Sequence, residues 1–203
     1  MKQEKDYIRD IAEIRTMMER SSKFVSLSGW AGIMAGIYAL SGAYIANKVY
    51  DFNPDQIVDS NSSAALAEVM FLAVIILVLA LGTAIHFSNR RASRRGEKIW
   101  NATARQLLMS MAVPLLAGAL VILILISNEM VGLVAPFSLL FYGLALYNAS
   151  KFTYNAVKVL GLTEIALGLL GSYFIGYGLI FWALGFGLAH IFYGIYVYYR
   201  YER

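Results

Sequence analysis

The chain has 203 residues, of which 59% are hydrophobic and 15% are charged, with a formal net charge of +4 and a mean hydropathy of +0.61. This composition is too apolar for a soluble domain of this length, so we expect an all-α integral membrane protein. The absence of cysteine excludes disulfides, thiolate metal sites and a cysteine nucleophile, and two histidines are too few for a three-histidine zinc site.

Residues 1–23 form a predicted cytoplasmic amphipathic helix ahead of the membrane domain. Apolar side chains recur there at helical spacing, and the polar face mixes both charge signs, unlike a cationic membrane-surface anchor. A protein partner could therefore bind the apolar stripe. The alternative is that the stripe packs on the protein's own cytoplasmic loops or lies at the headgroups, as juxtamembrane helices commonly do. The stripe consists of Tyr7, Ile11, Ile14 and Met18.

Residues 24–203 form a predicted membrane domain of six helices. Each apolar run has about the 20 residues that are needed to cross a hydrocarbon core. Backbone polar groups that face lipid must be hydrogen-bonded within their own segment, which favours helices. The predicted spans are Phe24–Ala46, Ala65–Phe87, Leu107–Ile126, Val131–Asn148, Val157–Ile175 and Tyr177–Tyr199.

The basic residues predict the orientation of these spans. Every lysine and arginine except Lys48 falls on the side that also holds both ends of the sequence. By the positive-inside rule, that side is cytoplasmic. The cluster of Arg90, Arg91, Arg94 and Arg95 is a candidate contact for anionic lipid headgroups, although control of topology alone would also explain it. The same placement explains the positive charge without a nucleic-acid partner.

Glu164 is the one carboxylate that lies well inside a predicted span, and such a group calls for a functional hypothesis. It shares a helix face with Gly161 and Gly168, which should face the bundle because glycine permits close helix approach. His190 lies on a similar glycine stripe in the sixth span. We expect the two side chains to meet. A buried carboxylate and imidazole can exchange a proton near neutral pH, as a proton relay requires, or can form a structural hydrogen bond worth about 0.6 kcal/mol.

The second histidine, His86, stands four residues before Arg90 at the cytoplasmic end of the second span and is best interpreted as interfacial. Pairing it with His190 as two haem ligands fails on their different depths, by about 9 Å of helical rise. The sequence therefore predicts no cofactor and no metal site.

Short glycine patterns suggest three tandem helical hairpins. Gly29, Gly32 and Gly36 have the spacing of Gly161, Glu164 and Gly168, and Met111, Pro114 and Gly118 repeat it in the third span. In the even spans, residues 82–90 align with residues 143–151. Such a repeat occurs in some transporters, but glycine is frequent enough in membrane helices for chance to explain the pattern equally well.

The stretch from Ile14 to Tyr38, IRTMMERSSKFVSLSGWAGIMAGIY, resembles the start of a group of small bacterial inner-membrane proteins of uncharacterised function. The resemblance implies a location in the bacterial inner membrane. It implies no catalytic motif and no substrate.

No phosphate-binding loop, nucleophile elbow or kinase signature occurs in the cytoplasmic segments, so we expect a non-enzymatic protein. Two functions remain open. The first is an adaptor, sensor or assembly partner that binds another protein, or further copies of itself, through the N-terminal helix. The second is a small-solute or proton-linked transporter that uses Glu164 and His190. The first makes fewer demands on the sequence, because one buried carboxylate is sparse for a coupled permease.

Overall fold

The computed structural model describes residues 28–52, 62–94, 96 and 100–203. The predicted amphipathic helix of residues 1–23, with Tyr7, Ile11, Ile14 and Met18, lies outside this part of the chain. So does Arg95.

All regular structure in the described residues is helical, and six of the helices are long and apolar enough to cross a membrane. The prediction of six helical spans is therefore confirmed, and the pattern is that of a multi-pass membrane protein. Helix α6 is composite: α-helical turns flank a π-helical segment at Ala183–Ala189. The helices are α1 Gly29–Lys48, α2 Ser62–Arg94, α3 Ala102–Ser127, α4 Val134–Ala149, α5 Asn155–Tyr173 and α6 Ile175–Glu202.

The helix ends follow from local chemistry. The Asn101 side chain accepts a hydrogen bond from the backbone N–H of Ala104 at 2.8 Å and begins α3. Between α3 and α4, Glu129 adopts a φ of 61° and reverses the chain. Helix α2 runs beyond the predicted end at Phe87 to Arg94, because charged side chains can extend a helix out of an apolar layer. Gly96, with a φ of 69°, follows it.

Neighbouring helices pack in the order α2, α1, α6, α5, α4, α3. Two of these interfaces are formed by the same kind of contact between glycine residues. A methyl group on Gly194 of α6 would overlap the backbone of Gly29 in α1, and one on Gly143 of α4 would overlap the backbone of Gly161 in α5. The backbones therefore touch directly, as small residues allow in membrane bundles.

The contacts of α1 with α6 and of α5 with α4 match position by position. Gly29 meets the residues Gly194 and Tyr198, and Gly161 meets Gly143 and Tyr147, so each partner pair is four residues apart. This correspondence supports the predicted relation between α1 and α5. Gly82 in α2 aligns with Gly143 in the predicted repeat, but a methyl group on Gly82 would meet no neighbouring atom within 4 Å. The three-hairpin repeat as a whole stays a prediction.

The glycine contact between α1 and α6 gives a first prediction. Gly194→Ala should lower the free energy of unfolding by about 1–3 kcal/mol, because the added methyl group would meet the backbone of Gly29 and Ile33. Gly82→Ala is the matched control, since open space surrounds that position. Thermal unfolding of both variants in detergent measures the difference, and equal effects would contradict the packing described.

Candidate functional site

Helix α5 places Glu164 inside the bundle. The side chain has 0% relative exposure, and its neighbours on the buried face of the helix include Gly161 and Gly168. The prediction that the glycine stripe turns this carboxylate away from the bundle surface is confirmed. A buried carboxyl group is costly unless it is paired or protonated, so its surroundings decide its chemistry.

The neighbour across from Glu164 is His190 of α6. The Nδ1 atom of the imidazole lies 3.3 Å from Oε1 of the carboxyl group, and His190 is 5% exposed. The two side chains that were singled out in the sequence therefore meet. At this distance the pair can share an ion-pair contact, although its angles do not form a hydrogen bond.

The hydrogen bonds of His190 define two consistent protonation states. Nδ1 lies 3.0 Å from the carbonyl oxygen of Gly185, which can only accept, so Nδ1 carries a hydrogen. Nε2 lies 3.1 Å from the hydroxyl oxygen of Tyr142 in α4. In a neutral imidazole, Nε2 accepts a hydrogen bond from the Tyr142 hydroxyl group. In an imidazolium, Nε2 donates a hydrogen bond to the same hydroxyl oxygen. The ring can gain or lose a proton with its heavy atoms in place.

Aromatic rings hold this imidazole in its orientation. Tyr142 and Phe186 both stack against His190, with ring centroids 5.5 Å and 5.8 Å away. Tyr142 and Phe186 also contact each other at 5.1 Å. Helices α4, α5 and α6 thus each contribute to one site inside the bundle, which consists of Tyr142, Glu164 and His190.

The π-helical segment of α6 shapes the site. It contains Gly185, whose carbonyl oxygen receives the His190 Nδ1 hydrogen. A methyl group on Gly185 would overlap the Oε2 atom of Glu164, so only glycine lets the carboxyl group approach α6 here. Single π-helical turns within α-helices occur frequently at functional sites.

Both oxygens of Glu164 lack a hydrogen-bond partner among the described residues. The His190 imidazole is the neighbouring group that can offset the cost of burying this carboxyl group. The described residues contain no group of three His, Cys, Asp or Glu side chains that could hold a metal ion.

Tyr193 lies one turn beyond His190 along α6. Its buried hydroxyl oxygen has no hydrogen-bond partner in the described residues. Along α6, Tyr193 lies between His190 and Glu202. It therefore stands between the Glu164 site and a charged cluster at the predicted cytoplasmic end.

Arg91 is the centre of that charged cluster. Its Nη1 donates to Oε1 of Glu202 at 2.7 Å, and its Nη2 donates to the Tyr201 carbonyl oxygen at 2.7 Å and to the Tyr154 hydroxyl at 3.1 Å. Glu202 also accepts from the backbone N–H of Gly29, at the start of α1. The Arg91–Glu202 pair therefore connects the end of α2 with the starts of α1 and α5 and the end of α6. This structural role is additional to the lipid contact that the sequence suggested. Arg90 and Arg94 are exposed.

Comparisons with protein-family models, with curated proteins and with solved structures found no match for this chain. The site is accordingly interpreted from its own geometry.

Proposed function

We propose that the protein resides in the bacterial inner membrane with both ends of the chain in the cytoplasm. Six helices long and apolar enough to cross a membrane support the multi-pass arrangement. The distribution of basic residues supports the orientation: Arg90, Arg91 and Arg94 stand at one end of the bundle, whereas the turn at the opposite end contains Glu129.

Single introduced cysteines test this orientation, since the natural chain has none. Ser127 and Ser93 are exposed near opposite ends of the bundle. In intact spheroplasts, an impermeant maleimide should label Ser127→Cys at once and Ser93→Cys only after lysis. The reverse pattern would invert the proposed topology.

Within that membrane, the geometry best supports a proton-linked transporter of a small solute. The observation that carries this proposal is the fully buried Glu164 carboxyl group, 3.3 Å from the His190 imidazole and without a hydrogen bond from the described residues. An intramembrane carboxylate beside a histidine is an arrangement that proton relays use. Its position among three helices lets its charge influence how they pack.

The proposed step is the uptake of one proton from water. The starting state is a Glu164 carboxylate beside a neutral His190; the added proton yields either a carboxylic acid or an imidazolium. Protonation on the glutamate removes its charge, whereas protonation on the histidine creates an ion pair with it. Release of the same proton on the other side of the membrane restores the starting state. Helix rearrangement between these states would move the solute.

The Glu164→Gln variant tests this function in vesicles. Reconstituted wild-type protein should carry protons across the vesicle membrane under an imposed pH gradient, measured with a trapped pH-sensitive dye. Glu164→Gln should reduce the flux to that of protein-free vesicles, because the amide has the same shape and cannot take up a proton in this range. Glu68→Gln, at an exposed position of α2, is the matched control and should retain the flux.

An infrared difference spectrum between acidic and alkaline pH supplies a readout that needs no transported solute. The wild-type spectrum should contain a carboxylic acid or imidazolium band that Glu164→Gln removes and Glu68→Gln retains. Proton flux and spectra unchanged by Glu164→Gln would refute proton exchange at this site.

The adaptor function stays an alternative proposal. It depends on Tyr7, Ile11, Ile14 and Met18, which lie outside the described residues. Deleting residues 1–20 should release any protein that co-purifies with the full chain, which native mass spectrometry of gently extracted protein would measure. Retention of every partner by the truncated protein would end that proposal, and the Glu164 variants provide the comparison, since they should leave such partners bound.

A further inference from the structure

A cavity of about 630 Å³ opens at the predicted cytoplasmic end of the bundle. Its lining residues lie at the start of α1, at the end of α2 and at the end of α6. None of them belongs to the Glu164 site. Its volume lies in the range of sites that bind small molecules, about 300–1,000 Å³. The cavity is therefore large enough for a phosphate group and the first carbon atoms of the molecule that carries it.

The charge in this cavity is positive. Arg90, Arg91 and Arg94 line it together with one carboxylate, Glu202. Glu202 forms its ion pair with Arg91. The guanidinium groups of Arg90 and Arg94 have no ion-pair partner among the described residues. Three arginines and one glutamate leave two positive charges for a ligand. Arg90 and Arg94 are four residues apart on α2 and so lie on the same helix face.

The cavity also has an apolar part. Trp30 and Phe87 line it, and Trp30 is 46% exposed. Arginines bind phosphate through two parallel hydrogen bonds, and indole rings favour the boundary between headgroups and acyl chains. A ligand that contacts both the arginines and the aromatic rings has an anionic phosphate at one end and an apolar part at the other.

We propose that this cavity binds the phosphate-bearing headgroup of one anionic phospholipid. Arg90 and Arg94 hold the phosphate, and Trp30 and Phe87 contact the glycerol and the start of the acyl chains. The Arg91–Glu202 pair also lines the cavity and connects α1, α2 and α6. The site is independent of proton exchange at Glu164.

Native mass spectrometry of the full chain in lipid nanodiscs tests this proposal. Nanodiscs contain either phosphatidylglycerol in phosphatidylcholine or phosphatidylcholine alone, and the retained lipid is counted after release. Wild-type protein should retain one phosphatidylglycerol molecule. The Arg90→Gln/Arg94→Gln double variant should lose about 25-fold in affinity for it, since each basic residue near an anionic surface contributes about a five-fold factor. Retention of phosphatidylglycerol by this double variant at wild-type affinity would overturn the proposal.

Arg105→Gln is the matched control, because it removes an exposed positive charge at the start of α3, outside the cavity. It should retain the lipid. Equal losses in Arg105→Gln and the double variant would show general charge attraction instead of a site. A separate titration with inorganic phosphate in detergent distinguishes the source of the ligand: binding comparable to that of phosphatidylglycerol would overturn the lipid assignment in favour of a soluble phosphate.

Discussion

Direct backbone contact at glycine is the constraint on which the bundle depends. Gly161 of α5 lies against Gly143 of α4, and Gly29 of α1 lies against Gly194 of α6. Lipid tails are as apolar as leucine, so close packing between small residues replaces the hydrophobic effect as the source of helix association. The same close approach packs α4 against the face of α5 that carries Glu164, whose side chain is fully buried.

Burial of Glu164 in turn determines which neighbours matter. Its oxygens lack hydrogen bonds from the described residues, whereas the adjacent His190 is bonded at both ring nitrogens, to Gly185 and to Tyr142. The imidazole is thus held firmly and the carboxyl group is not. Helices α5 and α6 therefore meet at a carboxyl group whose ion-pair partner in the described residues is the His190 imidazole.

The sequence predicted most of the fold and the centre of the site, for physical reasons. Apolar length identified the six helices, and the glycine stripes around Glu164 and His190 indicated that these side chains face each other. Tyr142 was missed because it is one of 14 tyrosines, many at positions typical of membrane interfaces. The π-helical segment Ala183–Ala189 was missed because π-helical turns are rare and its residues form part of an ordinary apolar run. Glu202 was missed because its partner Arg91 lies 111 residues away, far beyond the reach of a local pattern.

The bond from Gly29 to Glu202 joins positions 173 residues apart, and it has a consequence for assembly. While a ribosome is still making α6, the first turn of α1 has an unsatisfied N–H, and its glycine face has no partner. Helices α3, α4 and α5 can already associate at that stage. The interface between α1 and α6 can therefore form only after the last helix has been made, whereas the contacts among α3, α4 and α5 need no residue beyond Tyr173.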